Sequence, residues 1–214
     1  MSGILPSIIE ASEVTIISDS WFMTMAQRKR ELRTRLGNHP PFIAVFGSAM
    51  TEQGSPDWIK AYELGIALAK AGAVTMNGGY GGTMEAVSAG ASAVGGLVVG
   101  ITCEDLPEKA PNPFISDNWI AERWDQRLIA LVWLADGYVV CPGSSGTLVE
   151  LSMVIETQLK GFLPIRPVVG LGTFWKSVAT RITDTKKIIS FVSSPSKAAK
   201  LAIGPTHDRP FRQT

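Results

Sequence analysis

The chain has 214 residues, 45% of them hydrophobic, and a formal net charge of +1. This length suits one domain with a sizeable core, and the composition argues against intrinsic disorder. The near-neutral charge argues against wholesale nucleic-acid binding, and no apolar run approaches the length of a membrane span. No basic residues precede the first apolar segment, so we expect no signal peptide.

The cysteines and histidines are few, and their positions do not indicate a reactive site. Cys141 is the last residue of a predicted buried strand, which favours a small core residue over a redox or metal role. The other cysteine is Cys103, and the histidines, His39 and His207, lie far from any glycine-rich turn. We therefore expect a protein of the reducing cytoplasm that uses no metal, no cofactor and no histidine-based triad.

Residues 1–38 are predicted to form an N-terminal helical extension. The segment Ser18-Asp19-Ser20 can cap a helix, and Gly37 can end it. The helix is rich in basic residues, namely Arg28, Lys29, Arg30, Arg33 and Arg35. A solvated face explains this charge, and a contact with a partner subunit or an anion is the functional alternative.

Between residues 39 and 204, short apolar strands alternate with helices. The predicted strands are 42–46, 73–76, 97–101, 138–141, 167–171 and 188–192, and a proline-rich loop is predicted from Glu104 to Asp117. This alternation predicts an α/β fold, a Rossmann-like doubly wound parallel sheet of about six or seven strands with helices on both faces. Residues 205–214 are predicted to be a polar tail.

Three glycine-rich turns follow predicted strands: Gly47-Ser48, Asn77 to Gly82, and Gly143 to Thr147. The carboxyl ends of parallel strands share one edge of the sheet, where ligands bind. Each turn also precedes a helix, whose first N–H groups can face an anion. One such turn can be purely structural, but three together predict a nucleotide site. The chain lacks a P-loop, and the first turn lacks the glycine spacing of a dinucleotide-binding dehydrogenase.

Three side chains near the last turn have both structural and functional interpretations. Thr147 can be a helix N-cap, or it can hold a phosphate, which the preceding small residues 144–146 favour. Glu150, expected in the first helical turn, can complement the helix macrodipole, form a capping box with Thr147, or act in catalysis. Arg127 can be a surface salt-bridge residue or a ligand for an anion.

Residues 42–171 resemble the LONELY GUY (LOG) family in three elements. The segment Asn77-Gly78-Gly79-Tyr80-Gly81-Gly82-Thr83-Met84 is similar to the family's G-G-G-x-x-G-x-M turn, with Asn77 in place of the first glycine. The segment Pro142-Gly143-Ser144-Ser145-Gly146-Thr147-Leu148-Val149-Glu150 is similar to P-G-G-x-G-T-x-x-E, with Ser144 in place of the second glycine. Arg127 lies fifteen residues before Pro142, as the family's catalytic arginine does, and Leu128 replaces the lysine that usually follows it.

The resemblance implies a phosphoribohydrolase, which cleaves the N-glycosidic bond of a nucleoside 5′-monophosphate to give a free base and ribose 5-phosphate. It implies that Glu150 stabilises the oxocarbenium-like charge and orients the attacking water. Arg127 would hold the ribose or phosphate and assist departure of the base. The residues implied in binding the substrate are Gly47, Ser48, Gly78, Gly79, Gly81, Gly82, Thr83, Met84, Gly143, Ser144, Ser145, Gly146 and Thr147. A homodimer acting on AMP or an N6-modified AMP is expected.

Two other functions remain open. The main alternative is a non-catalytic protein that binds or carries a nucleotide or a pterin cofactor, because relatives with this sheet do so. Retention of both Arg127 and Glu150 favours the enzyme, whereas Ser144 and Leu128 depart from the family pattern. The third is an interaction protein that uses the basic helix 21–36.

Trp119 and Trp124, expected on the Arg127 helix, can line the base pocket or be core or dimer contacts.

Overall fold

The computed structural model describes residues 20–37, 39–106, 110–182 and 188–204. In these residues, strands and helices follow one another as α1 (Ser20–Leu36), β1 (Phe42–Phe46), α2 (Pro56–Lys70), β2 (Val74–Asn77), α3 (Thr83–Ser92), β3 (Val98–Cys103), β4 (Asp117–Ala121), α4 (Trp124–Trp133), β5 (Gly137–Val140), α5 (Ser145–Leu159), β6 (Val168–Leu171), α6 (Lys176–Ile182), β7 (Ile189–Val192) and α7 (Pro195–Ile203). The predicted cap residues Ser18 and Asp19 and the predicted tail 205–214 lie outside the described residues.

The strands form one parallel sheet in the order β4-β3-β2-β1-β5-β6-β7. The central strand is β1, and the chain proceeds from it to β2 on one side and later to β5 on the other. The switch point of the sheet therefore lies between the carboxyl ends of β1 and β5, where ligands of such sheets bind. The predicted Rossmann-like α/β fold is confirmed.

The alternating side chains of β1 show why helices cover both faces of the sheet. Phe42, Ala44 and Phe46 join a core with residues of α1, α4 and α5. Ile43 and Val45 join a second core with residues of α2 and α7. All five are buried, as expected for a parallel strand between two layers of helices.

Local sequence sets several helix boundaries. The Ser55 side chain accepts a hydrogen bond from Trp58 N at 3.2 Å, and Pro56 occupies the first position of α2. Ser194 caps α7 in the same way, with Pro195 next. Gly72 follows α2 with a φ of +76°, which a residue with a side chain adopts at a cost.

The edge strand β4 corrects one prediction. Trp119 was expected on the Arg127 helix but lies in β4, fully buried, with its ring centroid 6.2 Å from that of Phe42. It is a core residue, and its Nε1 donates to Asp117 at 2.9 Å. The pattern concealed the strand because aspartate and asparagine, which begin β4, disfavour strands. Trp124 is the first residue of α4 and is 42% exposed.

The basic helix α1 packs on the same domain. Its Met25 and Leu32 are buried in the core that contains Phe42. Two of its cations form ion pairs within the domain, because Lys29 and Arg33 pair with Asp136, just before β5, at 2.9 and 2.5 Å. Burial lowers the pKa of Lys29 to about 8, although Asp136 opposes that shift.

Candidate functional site

The three glycine-rich turns lie side by side at the carboxyl edge of the sheet. Ser48 N donates to Pro142 O at 3.2 Å, and Ser48 O accepts from Thr83 N at 2.8 Å. The turn after β1 therefore joins the turns after β2 and β5. The structure brings together in these turns, or at the helix starts that follow them, the residues predicted to bind substrate: Gly47, Ser48, Gly78, Gly79, Gly81, Gly82, Thr83, Met84, Gly143, Ser144, Ser145, Gly146 and Thr147.

Some of these glycines are required by the packing of the turns. Gly82 has a φ of +66°, and a methyl group there would lie 2.4 Å from Ser48 O. A methyl group at Gly143 would lie 2.2 Å from Thr147 Oγ1. Such distances are far below van der Waals contact, so the close approach of the turns explains both glycines.

Two other glycines have no such explanation. A methyl group at Gly146 would meet no atom within 4 Å, and one at Gly81 would make only ordinary contacts, the nearest with Ala49 O at 3.7 Å. Neither has a positive φ. Gly146 is the second residue of α5, where glycine is conformationally costly relative to alanine. The space in front of the start of α5 is therefore open to a ligand.

The start of α5 differs from its prediction. The N-cap residue is Ser144, so Thr147 is the third helical residue and Glu150 the sixth, in the second turn. The predicted N-cap role of Thr147 and its capping box with Glu150 are therefore wrong. The Ser144 side chain makes no capping hydrogen bond, which leaves the first N–H groups of α5 without a side-chain acceptor.

The starts of α2, α3, α4, α5 and α7 differ in the acceptors that their first N–H groups find. The starts of α3 and α5, at the glycine-rich turns, have no side-chain cap. The starts of α2 and α7 are capped by serine side chains. The first N–H group of α4, that of Trp124, donates to Asp105 at 2.7 Å. Because the first N–H group of α3, that of Thr83, already donates to Ser48 O, the start of α5 is the one that offers free backbone donors to a ligand at these turns.

Arg127, in the first turn of α4, is held inside the protein. It is 7% exposed, and its Nε donates to Ile101 O at 2.8 Å and its Nη2 to Gly78 O at 3.2 Å. Its guanidinium carbon lies 5.3 Å from the ring centroid of Tyr80. The surface salt-bridge interpretation is therefore wrong. Because a guanidinium has five N–H donors, these two bonds leave three for a ligand.

Gly78 makes room for this arginine. A methyl group at Gly78 would lie 1.6 Å from Arg127 Nη2 and 2.9 Å from Met84 Sδ. Met84 and Thr83 are themselves buried, so their side chains support the turn from beneath. Thr83 Oγ1 also lies 2.8 Å from Thr51 Oγ1, which ties α3 to the loop after β1.

Glu150 is a half-buried carboxyl beside Arg127. Loss of hydration raises the pKa of Glu150 to about 7, and the Arg127 guanidinium opposes that rise. Among the described residues the two form no ion pair, and the carboxyl makes no hydrogen bond. Near neutral pH, Glu150 therefore exists in both its protonated and its ionised form, with its polar atoms available to a ligand.

Asn77 shows how the chain accommodates one departure from the LOG pattern. Its Oδ1 accepts from Gly79 N at 2.8 Å, and its Nδ2 donates to Ser88 Oγ at 2.9 Å. The asparagine is fully buried. It therefore links the turn after β2 to the helix that follows, in place of the leading glycine.

Asn112 is a site residue that the sequence did not single out. Its Nδ2 donates to Gly79 O at 3.2 Å and to Tyr80 O at 3.0 Å, and its backbone N donates to Gly79 O at 2.8 Å. These bonds fasten the long loop between β3 and β4 to the glycine-rich turn after β2. The available signal was weak, because Asn112 lies between two prolines in a segment without periodicity.

A groove of about 710 Å³ lies elsewhere, between α2 and α7. Small and aliphatic side chains form most of its wall, with Glu63, Lys70 and Lys200 among them. Neither Arg127 nor Glu150 lines it, so the carboxyl edge of the sheet remains the candidate site. In the described residues, no group of three or more His, Cys, Asp or Glu side chains is placed to hold a metal ion.

The chain matches the model of the SLOG cluster4 family over residues 40–199. A relative from Archaeoglobus fulgidus, described as an uncharacterized protein, is 35% identical over 98 residues, which is 45% of this chain and 62% of the relative. The chain thus matches less than two thirds of the length of that curated relative.

Among the described residues, no helix combines the length and hydrophobicity of a membrane span.

Solved structures share the fold. The molybdenum cofactor binding protein of the phototrophic bacterium Rippkaea orientalis is 26% identical, with a TM-score of 0.59 over 73% of this chain and 91% of that chain. The structural-genomics target TM1055 is 27% identical, with a TM-score of 0.61 over 74% and 95%. The molybdenum cofactor carrier protein of Chlamydomonas reinhardtii is 19% identical, with a TM-score of 0.58 over 75% and 94%, a likeness of fold alone.

Proposed function

We propose that this chain, which belongs to the SLOG cluster4 family, binds or carries a phosphorylated small molecule, with a molybdenum-cofactor-type pterin phosphate as the leading candidate. One observation carries the proposal. The uncapped start of α5 opens, at Gly146, onto the edge of the sheet where the buried Arg127 and the half-buried Glu150 also lie.

The anionic part of the ligand follows from the donors at this edge. The first N–H groups of α5 have no side-chain acceptor, and the positive end of the helix dipole favours an anion there. Arg127 retains N–H donors after its two bonds to the backbone. A phosphate monoester suits this combination because it offers several acceptor oxygens and negative charge.

Two observations favour binding over catalysis. The first is the likeness to a protein described as binding the molybdenum cofactor, at 26% identity over 91% of that protein's length. The second is the pKa of Glu150, about 7. A carboxyl that is about half protonated near neutral pH can donate a hydrogen bond to a ligand, but its protonated form stabilises an oxocarbenium-like charge less well than a carboxylate does.

The second candidate is a phosphoribohydrolase that acts on AMP or an N6-modified AMP. It is favoured by the Glu150 carboxyl, which has no hydrogen-bond partner among the described residues, next to a buried arginine. The ionised fraction of Glu150 would act on the sugar, and Arg127 would contact the ribose or phosphate. A homodimeric assembly and a cytoplasmic location belong to this second proposal through the resemblance to the LOG family.

One experiment separates the two candidates. Isolated molybdenum cofactor, AMP, N6-modified AMP, ribose 5-phosphate and inorganic phosphate are each incubated with the protein. Bound ligand is measured by equilibrium dialysis, and free base by chromatography. Saturable binding of the pterin without base release supports the carrier, whereas adenine release that Glu150→Gln abolishes supports the hydrolase.

A matched pair of variants shows whether the ligand lies at the proposed edge. Arg127→Met is expected to weaken binding about tenfold or more, because it removes a charged donor from a buried site. Lys70→Met removes a cation from the α2–α7 groove instead and is expected to leave binding unchanged. The absence of both binding and base release across the whole panel would overturn both proposals.

A further inference from the structure

Tyr80 has a buried ring that faces the guanidinium of Arg127. The side chain is 5% exposed, and the guanidinium carbon lies 5.3 Å from the ring centroid. The far end of the ring is fixed as well, because the hydroxyl accepts from Cys103 N at 3.1 Å and donates to Cys103 O at 3.4 Å. The ring is therefore fastened at its hydroxyl and covered by a cation on its face.

The backbone of Tyr80 is also fixed. Its carbonyl accepts from Asn112 Nδ2 at 3.0 Å, and the preceding Gly79 carbonyl accepts from the same nitrogen. Gly78, one residue earlier, offers its carbonyl to Arg127 Nη2. The segment 78–80 thus presents an acceptor and a ring face to one guanidinium.

Arg127 and Tyr80 are both hydrogen-bonded to the same strand, β3. Arg127 Nε donates to Ile101 O, and the Tyr80 hydroxyl bonds to the backbone of Cys103 two residues later on β3. Strand β3 therefore sets the position of the guanidinium in two ways. Ile101 accepts its hydrogen bond directly, and Cys103 holds the tyrosine ring that lies against it. An aromatic face attracts a cation without accepting its in-plane hydrogen bonds, so it holds the guanidinium without occupying its N–H donors.

We propose that Tyr80 is a positioning residue for Arg127: its ring holds the guanidinium against the carbonyls of Gly78 and Ile101, so that the remaining N–H donors face the ligand. This inference rests on the proposed anion site for its functional meaning. The ring is the essential element, and the hydroxyl serves only to fasten it.

Ligand affinity in a double-mutant cycle is the first test. Tyr80→Phe keeps the ring and is expected to bind isolated molybdenum cofactor, the probe used in this cycle, within about twofold of the wild type. Tyr80→Leu removes the ring and is expected to lose about fivefold to thirtyfold in affinity. In an Arg127→Met background, Tyr80→Leu is expected to add less than about a twofold loss, because the residue it positions is gone.

The second test needs no ligand, so it separates this inference from the proposed function. The pKa of Glu150, which Arg127 lowers, is measured by carbon NMR of the labelled carboxyl. Displacement of the guanidinium in Tyr80→Leu is expected to raise the pKa of Glu150 toward its value in Arg127→Met, while Tyr80→Phe keeps the wild-type value. If the wild-type protein bound no ligand of the panel, the proposed function would be wrong, but this pKa measurement would still test the role of Tyr80.

A third variant covers the case in which Tyr80→Leu does not fold. Pentafluorophenylalanine at position 80 preserves the shape of a phenyl ring but removes its negative face. It is expected to act like Tyr80→Leu on the pKa of Glu150. An unchanged pKa in the folded variant, or equal affinity losses in both Arg127 backgrounds, would overturn the positioning role.

Discussion

Arg127 and Glu150 lie on neighbouring helices, and the guanidinium lowers the pKa of the carboxyl against a larger, opposite effect of burial. The two side chains stay unpaired with each other, because Arg127 is bonded to the carbonyls of Ile101 and Gly78. A buried cation and a half-protonated carboxyl are thus held apart at one edge of the sheet. This separation leaves both groups available to a third molecule, which a direct ion pair would not.

The pKa of Glu150 predicts a pH-dependent stability. The pKa of Glu150 rises from its ordinary value of 4.5 to about 7 on folding, so the folded chain binds more protons than the unfolded chain between these pH values. The free energy of unfolding should fall as pH rises through this window, by roughly 2–3 kcal/mol between pH 5 and pH 8, and level off above it. Glu150→Gln has no such titration. Urea unfolding of both proteins at pH 5 and pH 8 gives the difference, and parallel pH profiles would contradict the prediction.

Gly146→Ala separates ligand binding from folding. The methyl group meets no atom within 4 Å, so the free energy of unfolding is expected to stay level or rise by about 0.5–1 kcal/mol. Ligand affinity is expected to fall, because the methyl group occupies the space in front of the α5 amides. Gly143→Ala is the contrasting variant, since its methyl group meets Thr147 and should destabilise the fold. Thermal unfolding and dialysis measure the two effects, and full ligand affinity in Gly146→Ala would remove this space from the site.

Asn112→Ala is expected to release the loop between β3 and β4 from the glycine-rich turn. The variant loses the two hydrogen bonds that the side chain donates to Gly79 O and Tyr80 O and the one that it accepts from Phe114 N. The backbone bond to Gly79 O remains. Amide hydrogen exchange in residues 110–116 should accelerate about tenfold, and stability should decrease by about 1–2 kcal/mol. Exchange in α7, which is far from the loop, provides the internal control. Unchanged exchange in the loop would show that the backbone bond alone holds it.

Asp136→Asn tests the attachment of α1. The carboxylate accepts from Lys29, from Arg33 and from Phe42 N at 2.7 Å, and these charges keep the pKa of Asp136 below its usual range although burial opposes them. Removal of the charge is expected to cost about 1–3 kcal/mol in urea unfolding at neutral pH.

The matched control for this variant is Asp125→Asn, which affects the exposed pair of Asp125 with Arg123 and should cost less than about 0.5 kcal/mol. Because the pKa of Asp136 is lowered, its stabilising effect is present above the ordinary carboxyl range and disappears as pH falls through it. Equal losses in the two variants at neutral pH would contradict a special role for Asp136.

Periodicity and turn chemistry predicted the sheet and most helices from the sequence. The apolar run at 42–46 and the Ser-Pro caps at 55–56 and 194–195 depend on neighbouring residues, so local patterns identify them. Strand β4 was missed because its first residues, Asp117 and Asn118, have low strand propensity, which leaves only the short apolar segment 119–121. Its place in the sheet depends on pairing with β3, which no local pattern reveals.

The candidate site was predictable in outline and less so in detail. Strand ends in a parallel sheet must meet, so the convergence of the glycine-rich turns follows from the fold class. The anchoring of Arg127 does not, because its acceptors Ile101 and Gly78 are 26 and 49 residues away in the sequence. The start of α5 was misplaced because serine, glycine and threonine are all acceptable near a helix start, and only the backbone conformation distinguishes Ser144 from Thr147.

The bond between Asp136 and Phe42 N has a practical consequence for anyone who shortens this protein. The same carboxylate that secures α1 also accepts from the first residue of the central strand. A truncated version that begins near Pro41 would lose both cations from that carboxylate and expose the apolar surface that Met25 and Leu32 cover. Aggregation of such a fragment would reflect an unprotected core rather than a lost interaction with another molecule.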